Sequence, residues 1–174
     1  IEFLHGNTTS CGPSYSQCLS TTTSTDIGTG TTSNATTTYP APFGNFRETA
    51  QHQFLYRASE LPAMGLSAGM ITEIGLEVAS INGTTNYNDF TVKMECTSLT
   101  SLPATFQAVN TTVFPAANIT IALGWNMLVF STPYIWDGTS SLLVEVCFDN
   151  SSSVTTSNSA TRFSATPFTS SISY

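Results

Sequence analysis

The strongest hydrophobic run in the chain covers residues 142–148, LLVEVCF, which carry one charge, at Glu145. A short run this rich in β-branched and aromatic side chains predicts a buried strand rather than a helix. Asp137-Gly138 is a turn dipeptide before the strand, and polar residues end it. Alternate residues of a strand share one face. That face carries Leu142, Val144, Val146 and Phe148. We predict the central strand of a β-sandwich here, with Trp136 at the edge of the core.

Short strand patterns of the same kind recur along the chain, with a single helical turn predicted at residues 59–65. Asn82-Gly83 is a hairpin signal, and it predicts that a strand at 71–80 pairs with a strand at 89–96. The other predicted strands are residues 51–58, 106–109, 118–123, 124–131, 162–166 and 170–174. Many short strands at this spacing predict an all-β fold, an antiparallel β-sandwich of the jelly-roll or immunoglobulin-like type.

The predicted core joins the apolar faces of these strands. In residues 124–131, GWNMLVFS, the side chains of Trp125, Met127 and Val129 share one face, which we predict to point inward. The full set of predicted core residues is Leu76, Val78, Phe90, Val92, Trp125, Val129, Val144, Val146 and Phe148.

The N-terminal segment alternates like a strand but has no partner nearby in the sequence. We predict an extended arm that either frays or pairs with another sheet or another molecule. The donor residues of such an arm are Ile1, Phe3 and Leu4. Residues 19–38 are rich in Ser and Thr, which is typical of an O-glycosylated linker or of a threonine-rich edge strand. We therefore predict an arm and linker at residues 1–24 and a β-sandwich domain at residues 25–174.

Charged residues make up only 9% of the 174 residues, and the net charge is −7 with four Lys and Arg. Nucleic-acid binding needs clustered cations, so no nucleic-acid partner is expected. No apolar run approaches the roughly 20 residues of a membrane span. A surface of hydroxyl groups instead of charges is typical of an extracellular protein with covalent glycans. Because the chain begins without Met and without a signal-peptide pattern, we expect a mature, processed form.

Four cysteines suggest two disulfides in an oxidising compartment. Cys11–Cys18 would close a short loop, which leaves Cys96–Cys147 as the second pair. Strand alternation places Cys96 on the core face of its strand and Cys147 on the outer face, so two free thiols remain the alternative. The spacing lacks the C-x2-C pairs of a zinc site, and no metal is predicted.

No arrangement of catalytic residues stands out in the sequence. A histidine base would have to be His5, in the arm, or His52, in an aromatic strand where a structural histidine is expected. Paired carboxylates for glycoside hydrolysis would join Glu73 or Glu77 to Glu95, at outward positions of the predicted hairpin. Phosphate-loop, dinucleotide and calcium-loop motifs are missing from the sequence. We predict a non-catalytic protein without a cofactor.

N-x-S/T sequons occur at six asparagines, and four of them are predicted to carry glycans. These four are Asn34, Asn82, Asn110 and Asn150. Threonines of residues 20–38 are predicted O-glycosylation sites.

Carbohydrate binding is an alternative role, because jelly-roll sandwiches bind sugars through exposed aromatic side chains. Packing of these rings on the ends of the sandwich is the other interpretation. The candidates, all in predicted loops, are Tyr39, Phe43, Tyr87 and Tyr134.

Eight short motifs distributed over residues 27–174 resemble a β-sandwich module that is repeated in secreted, type IX-exported surface proteins of gliding bacteria. The motifs are IGTG at 27–30, YPAPFGN at 39–45, QFLYRASEL at 53–61, SAGMI at 67–71, NDFTVKM at 88–94, GWN at 124–126, WDG at 136–138 and TRFS at 161–164. The resemblance implies secretion, a non-catalytic scaffold, and a role in adhesion or surface assembly. Residues 1–26 lie outside it.

These observations together favour an extracellular structural protein whose partners are copies of itself. Unguarded sheet edges invite strand addition, and an arm donated to the next copy would produce a head-to-tail filament. We therefore expect the subunit of a glycosylated surface filament. The alternative is a monomeric adhesion or carbohydrate-binding module.

Overall fold

The computed structural model describes residues 1–7, 21–35, 37–151 and 154–174. Apart from one helical turn, α1 (Glu60–Ala63), all of their regular secondary structure is β-strand. The strands are β1 (Glu2–Asn7), β2 (Thr21–Asp26), β3 (Thr32–Ser33), β4 (Thr49–Tyr56), β5 (Gly69–Ser80), β6 (Asn86–Thr97), β7 (Thr111–Thr120), β8 (Gly124–Trp136), β9 (Ser141–Asp149), β10 (Ala160–Phe163) and β11 (Ser171–Ser173).

Two antiparallel sheets pack face to face, which confirms the predicted all-β sandwich. The first sheet has six strands. Five of them follow the order β2-β1-β5-β10-β3, and the sixth, β8, pairs with β5 along the side that faces away from β1 and β10. The second, five-stranded sheet has the order β11-β4-β9-β6-β7. The core lies between the two sheets, where alternate residues of each strand meet.

Strand β9 lies in the centre of the five-stranded sheet, between β4 and β6. The four residues predicted to share its inner face are all buried in the core. Trp136 is buried as well, and its indole N–H donates to the Ser140 carbonyl oxygen at 2.9 Å. The hydrophobic run therefore predicted both the strand and its inner face.

The turn before β9 is held by the Asp137 carboxylate. Its Oδ1 accepts the backbone N–H groups of Thr139 and Ser140 at 2.8 and 2.7 Å, and its Oδ2 accepts the Ser140 hydroxyl. These hydrogen bonds lower the pKa of Asp137 to about 2. Gly138 has a φ of +79°, which a residue with a Cβ adopts only at a cost.

The connection between β5 and β6 is not the predicted hairpin. Strand β5 belongs to the six-stranded sheet and β6 to the five-stranded sheet, so residues 81–85 cross from one sheet to the other. A Cβ on Gly83 would lie 2.6 Å from the Ser157 carbonyl oxygen. The glycine is therefore explained by the close approach of residues 155–157 rather than by a tight hairpin turn.

Residues 106–109 were predicted as a strand and instead belong to a loop. The loop covers the outer face of the five-stranded sheet, where Leu102 and Val109 pack with Leu55 and Leu143 in a second apolar cluster. Gln107 and Gln53 exchange two hydrogen bonds, at 2.7 and 2.8 Å. Burial beneath a loop, rather than strand pairing, accounts for the apolar residues of this segment.

Strand β8 presents the opposite face to the one predicted. Residues paired across two strands share a face, and Leu128 pairs with the buried Ile74 of β5. Val129 pairs with Glu73 and therefore points outward, with 63% of its surface exposed. Trp125 is outward for the same reason, so the prediction that Trp125 and Val129 belong to the core is wrong. The inward residues of β8 are Leu128, Phe130, Tyr134 and Trp136.

Candidate functional site

The N-terminal strand β1 is paired within its own chain on both sides. It lies between β2 and β5, with Phe3 opposite Thr25 on one side and Ile74 on the other. The Phe3 side chain is completely buried. The arm therefore has the local partners that the sequence did not reveal. Strand β2, from Thr21 to Asp26, crosses the boundary between arm and domain, and it is the threonine-rich edge strand of the sheet.

The outer face of β8 carries a row of exposed apolar side chains. Trp125, Met127 and Val129 lie along it, and Ile135, 77% exposed, continues the row toward the end of the strand. Trp125 and Met127 lie over Gly75 of β5, where a Cβ would meet the Met127 sulfur at 2.7 Å. Within the described chain, no strand forms a ladder with β8 on the side away from β5. Strand β7 approaches this edge, where the Ser131 hydroxyl donates to the Val113 carbonyl oxygen at 3.3 Å.

Acidic side chains border the apolar row. Glu73 and Glu77 are the cross-strand partners of Val129 and Trp125, and Glu2 pairs with Gly75 and Asp26. Partial burial and the nearby carboxylates of Asp26 and Glu73 raise the pKa of Glu2. Arg162 neutralises part of this charge, because its Nε lies 3.1 Å from the Glu77 Oε1. The face therefore combines apolar and negative groups.

The four predicted glycosylation sites differ in accessibility. Asn82 and Asn110 are exposed, whereas Asn34 is partly buried and its Oδ1 accepts the Thr161 backbone N–H at 2.6 Å. Asn150 is 4% exposed; its Nδ2 donates to the Asn45 side chain and to the Asn86 carbonyl oxygen. A glycan on that nitrogen would replace these buried bonds, so the folded structure is incompatible with the prediction for Asn150.

Substitution of single sequon asparagines tests whether only the exposed ones carry glycans. In glycosylated material, Asn82→Gln and Asn110→Gln should each lower the intact mass by one glycan. Asn150→Gln should leave the mass of the attached glycans unchanged, because its nitrogen is buried in the folded protein. Intact-mass spectrometry of the three variants measures this, and a native mass equal to that of the bare polypeptide would refute N-glycosylation.

The predicted disulfide between Cys96 and Cys147 is not formed, and both are free thiols. Along the β6–β9 ladder Cys147 is opposite Thr91, whereas Cys96 is opposite Leu142. The two cysteines are thus offset by five residues, about 17 Å along the strand at roughly 3.3 Å per residue. A disulfide requires Cα atoms less than about 7 Å apart. Cys11 and Cys18 lie outside the described residues.

Most of the aromatic side chains considered for sugar binding are buried. Tyr87 lies in β6 with its hydroxyl donating to the Phe43 carbonyl oxygen at 2.6 Å, and Phe43 stacks on Phe90 in the core. Tyr134 is buried in β8. Only Tyr39 is partly exposed, so the predicted surface site formed by Tyr39, Tyr87 and Tyr134 does not exist as such.

His52 is a buried, neutral residue of the core. Its ring lies between Tyr39 and Phe54, with ring centroids 5.7 and 6.1 Å away, and its Nε2 accepts the Ala41 N–H at 3.1 Å. The buried Nδ1 has no hydrogen-bond partner. Burial lowers the pKa of His52 to about 4, so the imidazole is uncharged near neutral pH. The environment fits a structural role; the His5 side chain lies outside the described parts.

The burial of His52 predicts a pH-dependent stability. Its folded pKa of about 4 lies below the ordinary value of 6.5, so the unfolded chain binds the proton first. Stability should therefore be lost as pH falls from 6.5 to 4, by about 3 kcal/mol from this residue. Urea unfolding at several pH values measures this. His52→Gln should flatten that part of the profile, and an unchanged slope would contradict the assignment.

The carboxylates proposed for glycoside hydrolysis are not brought together. Glu73 and Glu77 belong to β5 in one sheet and Glu95 to β6 in the other. The Glu95 Oε2 accepts the backbone N–H of Asn110 at 3.1 Å. Among the residues that the structure describes, no group of three or more His, Cys, Asp or Glu is arranged to hold a metal. No helix in this part of the chain is long and apolar enough to cross a bilayer.

The charge at Glu145 on β9 is buried, which the sequence did not reveal. Glu145 is 4% exposed and accepts the Nε2 groups of Gln51 and Gln53 at 2.8 Å each. The Lys93 ammonium lies 3.0 Å from its Oε1, and this contact raises the pKa of Lys93. The carboxylate has partners on both neighbouring strands, β4 and β6, so it links β4, β9 and β6 on the outer face of the sheet.

A cleft of about 690 Å³ opens between the two sheets at the end where β3 and β11 lie. Both edge strands are short, with two and three residues, so neither sheet covers this end of the core. Residues from both sheets line the cleft, which reaches Leu76 in the core. The sequence gives no sign of it, because it arises from the lengths of strands that are far apart in the chain.

Comparisons of the chain with protein-family models, with curated proteins and with solved structures find no match.

Proposed function

We propose that this protein is a non-catalytic, extracellular structural subunit that assembles head-to-tail into glycan-coated filaments by exchange of strand β1. The observation that carries the proposal is the position of β1. It fills a slot inside the six-stranded sheet, between β2 and β5, and buries Phe3 in the core. Strand β1 of a neighbouring copy has the same sequence, so it fits the same slot.

Strand exchange preserves the contacts that β1 makes. A β1 from another copy forms the same ladders with β2 and β5 and places its Phe3 against the same ring of Tyr56, which lies 5.7 Å away. The exchanged assembly therefore loses no pairing relative to the closed monomer, and concentration decides between them. Donation from each copy to the next is a heterologous contact, which forms a filament unless the rotation closes a ring.

The length of the connection to β2 permits this exchange. Residues 8–20 join the two strands, and 13 residues can span up to about 43 Å at roughly 3.3 Å per residue. Residues 19–24, LSTTTS, are rich in hydroxyl side chains. The exposed Asn82 and Asn110 offer N-glycan sites outside the core. Glycans at such positions would coat the filament without blocking the slot.

Electron microscopy tests the proposal. Negative-stain images of the native protein should show thin fibres, and a variant without residues 1–18 should remain monomeric because it cannot donate β1. A synthetic peptide of residues 1–7 should fill the slot of that variant and raise its melting temperature. The same peptide with Phe3→Asp is the matched control, and it should not do so because the carboxylate would be buried without a partner.

Two outcomes would refute strand exchange. If the variant without residues 1–18 still polymerises, β1 is not the donor. If the full-length chain stays monomeric at high concentration, the subunit does not assemble, and a monomeric adhesion module becomes the better account.

A further inference from the structure

The inter-sheet cleft has aromatic walls whose rings are fixed by packing. Tyr39 and Phe54 line it from either side of the buried His52 ring, and the three rings form a stack. Tyr56 lines it as well, held edge-to-face against Phe3 at 5.7 Å with an interplanar angle of 89°. Flat apolar surfaces held in this way suit a ligand that has a flat C–H face.

Neutral polar groups converge on the same space. Ser33, Ser170 and Ser171 line the cleft from β3 and from the segment that begins β11. Thr161 lines it too, and its Oγ1 is buried with no hydrogen-bond partner. Burial raises the pKa of Tyr56 well above its usual range, so its hydroxyl stays neutral and able to donate. An unpartnered buried hydroxyl is costly, and a polar ligand or water would satisfy it.

The charged side chains of the cleft are already engaged. Glu60 accepts the Arg57 backbone N–H through Oε2 at 2.9 Å, and the Arg162 guanidinium pairs with Glu77 at 3.1 Å. These two are the charged side chains among the lining residues. Ile1 also lines the cleft, and burial lowers the pKa of its amino group, which favours the neutral form. A charged ligand would therefore find no unpaired side-chain counter-ion, and it would lose its hydration without compensation.

We propose that this cleft is a binding site for a neutral saccharide of one or two sugar units. Sugar rings combine an apolar C–H face, which packs on Tyr39, Phe54 or Tyr56, with hydroxyl groups that match the serines and Thr161. The cleft volume lies within the range of about 300–1,000 Å³ that is usual for small-molecule sites. The site is independent of strand exchange, since the same rings line it whichever copy supplies β1.

Titration of the full-length protein with defined sugars tests the site. The probes are glucose, galactose and N-acetylglucosamine with their disaccharides cellobiose, lactose and diacetylchitobiose, and octanoate serves as an apolar probe. Saturable shifts of the backbone amide signals of Ser33, Asn34 and Ser171 are expected for at least one sugar. Phe54→Ala, which removes a wall, and Ser171→Trp, which fills the space, should each weaken that sugar at least ten-fold.

Phe46→Ala is the matched control, because Phe46 is an exposed aromatic residue that does not line the cleft. It should change the affinity less than two-fold, and circular dichroism should show that all three variants are folded. Because Ser171 lies in the edge strand β11, Ser171→Trp is expected to fold even if Phe54→Ala does not, and the site can then still be tested. Absence of binding to every sugar, binding of octanoate alone, or equal affinities in the cleft variants and the control would overturn the proposal.

Discussion

Val144→Asp is expected to unfold the protein, whereas the same change at Val129 is expected to leave it folded. Val144 is completely buried and lies between Phe54 of β4 and Met94 of β6. An aspartate there would lose the apolar contacts of valine and bury a carboxylate without a partner. Such changes cost more than about 4 kcal/mol, a large part of the stability of a domain this size.

Val129 is the matched control for the same substitution. It is exposed on the outer face of β8, so an aspartate stays hydrated there. Its cross-strand partner is Glu73, and like charges directly opposite each other destabilise a sheet modestly. We expect a loss of about 1 kcal/mol. Urea unfolding of both variants measures the difference, and equal losses would show that the two faces of β8 are wrongly assigned.

Local patterns in the sequence were sufficient for three features of the fold. Strand β9 and its inner face, the helical turn α1 and the Asp137-Gly138 turn were all predicted, since each rests on residues close together in the chain. Gly65, the last residue of the predicted helical turn, has a φ of +100° and donates to the Pro62 carbonyl oxygen at 3.0 Å.

The face of β8 could not be read from the sequence because both of its faces are apolar. Trp125, Met127 and Val129 alternate with Leu128 and Phe130, so the period alone cannot choose between them. Pairing with β5 decides the choice. The exposed apolar row and its acidic border depend on that long-range pairing.

The predictions for Asn150, Tyr87 and Tyr134 were wrong for related reasons. The sequon at Asn150 gives no information on burial, and its amide is occupied by hydrogen bonds to residues 45 and 86, which are distant in the chain. The tyrosines Tyr87 and Tyr134 were placed in loops because the ends of β6 and β8 were predicted too short. The cleft depends on the short edge strands β3 and β11, whose lengths no local pattern specifies.

An engineered disulfide can trap the exchanged strand covalently. We expect it to convert the protein from monomers to covalent multimers. Leu4 of β1 and Ser24 of β2 are paired across the ladder. Paired residues on antiparallel strands have Cα atoms about 4.5–5.5 Å apart, within the range of a disulfide. In the double variant Leu4→Cys with Ser24→Cys, exchange brings together thiols from two different copies.

The measurement is a non-reducing denaturing gel of the oxidised double variant, prepared at the concentration at which fibres form. Leu4→Cys and Ser24→Cys alone serve as controls, because they show any cross-linking that the native cysteines cause. Exchange predicts a ladder of covalent multimers in the double variant, which collapses to the monomer on reduction. A single monomeric band with the cross-link inside one chain would show that β1 stays in its own sheet, and would contradict the account.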